Sequence, residues 1–280
     1  MNVVAIGGGH GTAVVVRAAT SLRHHVTAVV SVGDDGGSSG KLRKSFDIPA
    51  VGDIRRCIGA SSPPMSEHLL EYRVGEDGHP IGNLLLVSAI KECKGDLESA
   101  AAMVASLVGA SATVLPATNT AIDIVAEAGG ETVVGQSAIH RRTDVSRLRV
   151  FPHNAVTTPA VVSAIENADF IALGPGSHFT SVLAALVVPG IAEAVASSSA
   201  RLLWIANLPT TEAESRNFTV KTALQSIRDH GAFPDVAILD NSEDCELSEI
   251  HVVRGPLASS DRQTHSVSEM SRVLQKVMAD

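Results

Sequence analysis

The chain has 280 residues, of which 45% are hydrophobic and 19% are charged. This length and composition predict one large globular α/β domain with an ample core. The formal net charge is −8 and aromatic residues make up only 3%, which argues against a nucleic-acid partner and against aromatic platforms that stack single-stranded bases.

The cysteines and the apolar segments indicate the setting of the protein. Cys57, Cys93 and Cys245 lie far apart and show neither zinc-ligand spacing nor a disulfide framework. Met1 leads directly into a predicted strand, without the basic region of a signal peptide. The uncharged stretch 99–122 is too rich in small polar residues for a spanning helix. We therefore expect a cytoplasmic protein with no membrane partner.

The first candidate site follows the first predicted strand, Val3 to Ile6, and precedes a predicted helix, Ala13 to Leu22. A strand, a glycine-rich loop and a helix open many nucleotide-binding α/β units. The dinucleotide fingerprint G-x-G-x-x-G does not fit, because Thr12 takes the place of its third glycine, and a Walker A motif is absent. Exposed N–H groups at the start of the helix favour an anion, although a tight turn would also use glycine. The predicted ligand-binding residues here are Gly7, Gly8, Gly9, Gly11 and Thr12.

The second candidate site is the loop Gly33 to Arg43, which follows a predicted buried strand, Val26 to Val32. Glycine N–H groups and serine hydroxyls suit phosphate oxygens, and Lys41 and Arg43 supply positive charge. The adjacent carboxylates of this loop suit a hard cation such as Mg²⁺. The alternative is a polar turn whose side chains bond to their own backbone. The predicted ligand-binding residues are Gly36, Gly37, Ser38 and Ser39, and the predicted metal ligands are Asp34 and Asp35.

Three further residues near these loops each have two interpretations. His10 is either a solvated loop residue or a group that transfers protons. Asp53 is either the N-cap of a helix that starts at Ile54 or a third metal ligand beside Asp34 or Asp35. Asn83 starts a predicted helix that runs from Leu84 to Cys93, where it is either a plain cap or a cap that also contacts a ligand.

The middle of the chain interrupts the alternation of strands and helices. A helix is predicted over 96–108, with Asp96 at its start, and strands over 112–115, 122–127 and 132–136. The last two strands read as a hairpin. We therefore expect a small β subdomain at about 111–150, inserted into a single domain that spans 1–280.

The third candidate site follows the predicted strand Phe170 to Leu173, where glycine, serine and threonine precede a helix that ends near Val187. Ligands of open α/β sheets bind at such strand ends, although an ordinary turn would look similar. Two glycine-rich turns of this kind predict convergence on one ligand. The predicted ligand-binding residues are Gly174, Gly176, Ser177 and Thr180.

The remaining segments complete a Rossmann-like α/β fold, with a mostly parallel sheet, flanking helices and a small antiparallel insert. A strand is predicted over 201–206, ending at the candidate ligand residue Asn207, and the polar loop 208–217 is predicted to act as a lid. A helix over 219–230 and a strand over 235–239 follow. The segment 242–265 reads as irregular, and a helix over 266–278 closes the chain.

Several of these segments together resemble the 2-phospho-L-lactate transferase-like (CofD-like) superfamily, and within it the YvcK-type gluconeogenesis-factor branch. The motifs appear in the order of that family and cover the chain to about Asn207. The run Asp-Asp-Gly-Gly-Ser-Ser-Gly and the turn Gly-Pro-Gly-Ser are specific to it. The matching stretches are 5–11, 33–43, 52–57, 81–86, 114–118 and 173–181.

The resemblance implies a Rossmann-like fold with a subdomain and a nucleotide site. Its transferase branch joins a nucleotide-activated phospholactate-type donor to a deazaflavin precursor, with a divalent metal on acidic residues that correspond to Asp34, Asp35 and Asp53. Its gluconeogenesis-factor branch has no established reaction; those proteins bind UDP-N-acetylglucosamine and support cell shape and envelope synthesis on gluconeogenic carbon. The full Gly-Gly-Ser-Ser-Gly run after the aspartates points to this second branch.

We accordingly expect a homo-oligomeric regulator that binds a nucleotide-sugar, contacts a partner in envelope synthesis, uses Mg²⁺ and holds no tight organic cofactor. Asn83 and Asn207 would bond to polar groups of the ligand, and no residue is assigned a catalytic role. The alternatives are a metal-dependent transferase and an NAD(P)-binding protein with Asp34 or Asp35 at the ribose. The family usually has a tyrosine near the nucleotide in its C-terminal region, whereas the only tyrosine here is Tyr72, so the sequence gives no support for an aromatic platform.

Overall fold

The computed structural model describes residues 1–209 and 218–279. The lid predicted over 208–217 therefore lies almost entirely outside the described residues.

A parallel sheet forms the centre of the described structure. Its strands are β1 (Asn2–Gly7), β2 (His25–Val30), β5 (Thr113–Pro116), β9 (Phe170–Leu173), β10 (Arg201–Ile205), β11 (Val236–Asp240) and β12 (His251–Gly255). They lie in the order β12-β11-β10-β9-β1-β2-β5, and every neighbouring pair is parallel. The central strands β1 and β9 are nearly continuous buried apolar runs because helices cover both faces of such a sheet. The predicted fold class is confirmed.

Helices flank this sheet. They are α1 (Gly9–Ser21), α2 (Gly37–Phe46), α3 (Gly52–Ala60), α4 (Pro64–Glu71), α5 (Ile81–Glu92), α6 (Leu97–Val108), α8 (Pro159–Glu166), α9 (Ala184–Leu186), α10 (Ile191–Ser197), α11 (Val220–Asp229) and α12 (Val267–Ala279). The short helix α7 (Gln136–Ile139) instead packs against the small antiparallel sheet described below. A π-helical turn, His178–Leu183, directly precedes α9. The closing helix α12 buries Met270, Val273, Leu274 and Val277, spaced as one helix face requires, and it packs against α1.

A separate small sheet holds β6 (Asp123–Ala128), β7 (Glu131–Val134) and β8 (Val145–Phe151), in the antiparallel order β7-β6-β8. The predicted hairpin and the antiparallel insert are therefore confirmed. The strand predicted over 112–115 is β5, which pairs with β2 in the main sheet instead. The antiparallel sheet thus begins only at Asp123, inside the limits of 111–150 that the sequence suggested.

Several local expectations were wrong. Helix α2 occupies Gly37–Phe46, where a loop was expected, because Ser39 and Leu42 lie three residues apart on one buried face. Helix α1 begins at Gly9, so part of the first glycine-rich loop is its first turn. A short antiparallel hairpin, β3 (Arg73–Val74) with β4 (His79–Pro80), which the sequence analysis did not predict, joins α4 to α5.

The predicted helix caps had mixed outcomes. Asp96 caps α6 as predicted, since its carboxylate accepts a hydrogen bond from the N–H of Glu98 at 3.1 Å. Asp53 does not cap α3; the helix begins one residue earlier, and the Asp53 carboxylate pairs with Arg56 one turn on. Asn83 does not cap α5 either, because that helix starts at Ile81 and shows no side-chain cap.

The C-terminal part of the chain is more ordered than the sequence indicated. β12 lies within the segment predicted as irregular and extends the main sheet by pairing with β11. β12 has only five residues, too few to show a clear alternation of buried and exposed positions, and two of them are a histidine and an arginine. This polar composition concealed the strand, since strand propensity depends on the neighbours that a strand finds.

The order of the strands places a crevice at the centre of the sheet. From β1 the chain moves outward to β2 and β5 on one side, and it later returns to β9 on the other side of β1. The loops that follow β1 and β9 therefore leave neighbouring strands in opposite directions. Ligands of open α/β sheets bind at the carboxyl ends of the strands at such a point.

Within the described residues, no single helix has both the length and the apolar character to cross a membrane. One bent pair, His178–Leu186 with Ile191–Ser197, satisfies the length and composition together, with 73° between its halves.

The close approach of the two glycine-rich loops can be tested at Gly11. A Cβ atom added there would overlap the carbonyl oxygen of Pro175, which belongs to the loop after β9. Gly11→Ala must push the two loops apart, and we expect it to lower the free energy of unfolding by about 1–3 kcal/mol in urea denaturation.

The matched control is Gly59→Ala, also within a helix, where the nearest atom to the added Cβ lies at 3.5 Å. This change should leave the free energy of unfolding the same, or raise it by up to about 1 kcal/mol through helix propensity. Equal effects of the two substitutions would contradict the close approach.

Candidate functional site

The two glycine-rich turns meet at the carboxyl edge of the sheet. Gly11, in the first turn of α1, lies against the backbone of Pro175, and a Cβ added to Gly176 would lie 3.6 Å from the carbonyl oxygen of Gly8. The structure thus brings together the first and third candidate sites of the sequence.

A cleft of about 760 Å³ opens at this junction. Its volume falls within the usual range of small-molecule sites. The first residues of α1 line one side, with backbone N–H groups that have no partner within the helix. Of the predicted ligand-binding residues, the cleft is lined by Gly8, Gly9, Gly11, Gly176, Ser177 and Asn207.

The other predicted residues of these two turns lie behind the cleft. Thr12 is fully buried, and its hydroxyl donates a hydrogen bond to the carbonyl of Gly8 at 3.2 Å. Thr180 is 3% exposed, and its carbonyl accepts a hydrogen bond from the Gln136 side chain at 3.0 Å. Gly7 and Gly174 shape the turns without lining the cleft. These residues support the wall of the cleft instead of facing its interior.

The three candidate metal ligands do not come together. Burial raises the pKa of Asp34, and the nearby charge of Asp53 adds to this, against the hydrogen bond that Asp34 accepts from the Gly36 N–H at 2.9 Å. Asp35 turns the other way and accepts hydrogen bonds from the N–H of Ser137 at 2.8 Å and its hydroxyl at 2.6 Å. Over 1–209 and 218–279, no group of three histidines, cysteines or acidic residues is placed to hold a metal.

Asp34 and Asp53 nevertheless suit one kind of cation. Asp53 lies beside the first glycine-rich loop, since a Cβ added to Gly8 would lie 2.8 Å from its carboxylate oxygen. Mg²⁺ is commonly held by one or two carboxylates, with water and substrate phosphates as its other ligands. A cation near both carboxylates would also relieve the repulsion that raises the pKa of Asp34. The donor set therefore fits Mg²⁺ in the presence of a phosphate ligand.

Ser38 and Asn83 belong to a hydrogen-bonded chain that joins three helices. The Ser38 hydroxyl lies 2.8 Å from Nδ1 of His79 and accepts a hydrogen bond from the Asn83 side chain at 3.0 Å. The Asn83 oxygen in turn accepts a hydrogen bond from Arg55 at 3.0 Å. Asn83 is 1% exposed, so this chain fixes the start of α2 against α3 and α5.

The cations predicted to meet phosphate are occupied elsewhere. Lys41 forms an ion pair with Asp77 at 2.6 Å. Arg43 donates hydrogen bonds to the carbonyl of Ile122 at 2.7 Å and to Asp123 at 3.1 Å. Arg43 therefore ties α2 to the start of the small antiparallel sheet instead of facing the cleft.

The C-terminal segment 262–265 also lines the cleft, which the sequence did not reveal. Asp240, at the end of β11, holds this segment by accepting a hydrogen bond from the N–H of Ala258 at 3.1 Å and by lying 3.6 Å from Arg262. His265 is 7% exposed, and its Nε2 has no hydrogen-bond partner among residues 1–209 and 218–279. A polar stretch with one histidine and one arginine gives no signal of such a position.

Both histidines of the cleft are less basic than usual. Burial lowers the pKa of His265 to about 4, against the hydrogen bond to Ala206 and the charge of Asp240. Burial also lowers the pKa of His10, helped by the charge of Arg56 and opposed by that of Asp53. An uncharged His265 leaves the positive charge on this side of the cleft to Arg262.

Comparison with known proteins places the chain in a family. Residues 3–276 match the model of the family described as 2-phospho-L-lactate transferase CofD. The chain is 39% identical over 237 residues to a gluconeogenesis factor of Halalkalibacterium halodurans, which covers 82% of this chain and 73% of that protein. It is also 37% identical to a relative from Deinococcus radiodurans, over 87% of this chain but only 54% of that protein.

A solved structure shares the whole fold. A UPF0052-family protein from Bacillus halodurans superposes with a TM-score of 0.90 and 32% sequence identity, covering 98% of each chain. The parallel sheet with its small antiparallel companion is therefore a shared architecture.

The buried position of His265 predicts a pH dependence of stability. Between pH 6.5 and about 4 the unfolded chain binds a proton at this histidine and the folded protein does not. The stabilisation is therefore fully present above pH 6.5 and is lost as the pH falls, by up to about 1.4 kcal/mol per pH unit. In urea denaturation, His265→Gln should reduce the slope of the unfolding free energy against pH by a comparable amount.

His153→Gln, at an exposed histidine outside the cleft, is the matched control and should leave the slope unchanged. If the free energy of unfolding of His265→Gln depends on pH as steeply as that of the unsubstituted protein, His265 is not buried in an uncharged form.

Proposed function

Because this chain belongs to the CofD family and is similar to a gluconeogenesis factor, we propose that it is itself a gluconeogenesis factor that binds a nucleotide-sugar of the UDP-N-acetylglucosamine type. Its role is to regulate cell shape and envelope synthesis during growth on gluconeogenic carbon. The chain spans 54% of the length of the Deinococcus radiodurans relative, so the activity of the longer protein is part of the proposal. So are the cytoplasmic location, the self-association and the partner in envelope synthesis.

The observation that carries the proposal is the junction of the two glycine-rich turns. The start of α1 presents backbone N–H groups to the cleft, and the loop after β9 presents Ser177 and Ser181 from the opposite side. N–H groups at a helix start and hydroxyls are suited to phosphate oxygens. Arg262 lines the cleft, and although it lies 3.6 Å from Asp240, its side chain is 64% exposed and adds the positive charge that Lys41 and Arg43 do not supply. A diphosphate is the group that matches these donors.

Asp34 and Asp53 would hold Mg²⁺ against this diphosphate. The cation would neutralise charge on the phosphate oxygens, which is its usual role at nucleotide sites. Asp35 has a different function. Its hydrogen bonds to Ser137 fasten the loop after β2 to α7, which follows the hairpin of the small antiparallel sheet, so that Asp34 keeps its orientation.

A second candidate function is a metal-dependent transferase. It is favoured by the name of the family model and by the Asp34 and Asp53 pair, which could neutralise a leaving nucleotide with Mg²⁺. Release of a nucleoside monophosphate in the presence of a deazaflavin acceptor would favour it over a regulatory role. The NAD(P) alternative gains no support, since Asp34 and Asp35 already bond to Gly36 and Ser137.

The different roles of the adjacent residues Asp34 and Asp35 can be tested by calorimetry. The binding of UDP-N-acetylglucosamine is measured once with Mg²⁺ and once with a chelator. We expect the chelator to weaken binding to the unsubstituted protein. Asp34→Asn should weaken binding about tenfold or more in Mg²⁺ and make it insensitive to the chelator, because a metal ligand is lost.

Asp35→Asn is the matched control, with the same chemical change on the neighbouring residue. It should keep its response to the chelator, even if the loop is less stable. An equal loss of the Mg²⁺ response in both variants would contradict the assignment of the metal ligands. No binding of the nucleotide-sugar at millimolar concentration would contradict the proposed function.

A further inference from the structure

A second cavity, of about 600 Å³, adjoins the diphosphate cleft. The two share a wall made of Gly176, Asn207, Leu208 and Pro209. A ligand whose diphosphate occupies the cleft therefore has a second space within reach on the far side of Asn207. The volume of this space is also within the usual range for small-molecule sites.

Two large aromatic side chains line this second cavity, in a chain that is poor in them. The sequence has one tryptophan and six phenylalanines in 280 residues. Trp204, the single tryptophan, and Phe218 both line the cavity, together with His178. These three residues lie on β10, just before α11 and at the start of the π-helical turn after β9, so their positions in the sequence do not indicate that they line one cavity.

The rings form a packed cluster. The ring centroids of His178 and Phe218 are 5.2 Å apart with planes tilted by 39°, and Phe179 meets both rings edge to face at 4.8 and 5.0 Å. These are favourable aromatic arrangements. Burial lowers the pKa of His178 to about 3, so this ring is uncharged near neutral pH. Trp204 is 3% exposed and His178 is 7% exposed, so the half-buried Phe218 is the most accessible ring of this uncharged cluster.

The rim of the cavity is polar. Lys221 supplies a donor, and Glu243 and Asp244 supply acceptors. An uncharged aromatic wall with donors and acceptors at its edge matches a flat ring that carries polar groups on its perimeter. A nucleobase has this form, since every base has a π face for stacking and a polar edge for hydrogen bonds.

We propose that the cavity lined by Trp204, Phe218 and His178 binds the nucleobase of the nucleotide whose diphosphate lies in the adjoining cleft. This inference rests on the proposed function and adds the position of the base to it. The ligand then crosses the shared wall at Asn207, with its diphosphate between the two glycine-rich turns and its base against the aromatic cluster.

The single tryptophan makes the inference directly measurable. All tryptophan fluorescence of the protein comes from Trp204. With Mg²⁺ present, UDP should change the intensity or the wavelength of this emission as it saturates the site. Inorganic diphosphate, which has no base, should bind in calorimetry and compete with UDP but leave the emission of Trp204 unchanged.

Phe218 provides the test by substitution. Phe218→Ala should weaken the binding of UDP about tenfold, since a stacking ring is lost, and leave the affinity for inorganic diphosphate the same. Phe233→Ala, at an exposed phenylalanine outside the cavity, is the matched control and should bind both ligands normally. Phe218→Leu keeps an apolar side chain in place and should show the same selective loss, even if Phe218→Ala is poorly folded.

The possible failures are distinguishable. If UDP binds in calorimetry but the emission of Trp204 stays constant and the Phe218 variants keep their affinity, the base lies elsewhere and this inference is wrong, while the proposed function stands. If neither UDP nor UDP-N-acetylglucosamine binds, the proposed function fails and this inference fails with it. An equal loss of UDP and inorganic diphosphate in both Phe218 variants would also overturn the assignment of the base.

Discussion

The contact of Gly11 with the backbone of Pro175 is the constraint on which the site depends. It is possible because residue 11 has no side chain, and it draws the start of α1 against the loop after β9. β1 and β9 are neighbours in the sheet, but their loops belong to segments more than 150 residues apart in the chain. Without this contact the two loops would flank an open crevice. With it they form one cleft whose two sides both present donors to an anion.

The loop after β2 contributes the carboxylate of Asp34 to the site. Asp34 and Asp53 lie close enough that the charge of Asp53 raises the pKa of Asp34. Asp35 is turned away from them and accepts a hydrogen bond from Ser137 of α7. Arg43 strengthens the same connection through the carbonyl of Ile122. The antiparallel insert therefore has a structural role at the site: it fixes the orientation of a carboxylate that it does not itself contribute.

The sequence predicted the features that depend on local chemistry. Asp96 at a helix start and the meeting of two glycine-rich turns follow from capping rules and from the shared edge of parallel strands. It could not predict partners that are distant along the chain. Nothing near Asp35 indicates that Ser137 will bond to it, and nothing near His178 indicates that its ring will lie against that of Phe218. A polar C-terminal stretch likewise conceals that His265 is buried, because burial there depends on the strand end at Asp240.

The most direct test of the central claim is a crystal structure of the protein with UDP-N-acetylglucosamine and Mg²⁺. We expect the diphosphate between the first turn of α1 and the loop that holds Ser177, with the cation on the side of Asp34 and Asp53. A diphosphate bound away from Gly11 and Ser177 would show that the contact between the two loops has no part in recognising the ligand, and the proposed site would be wrong.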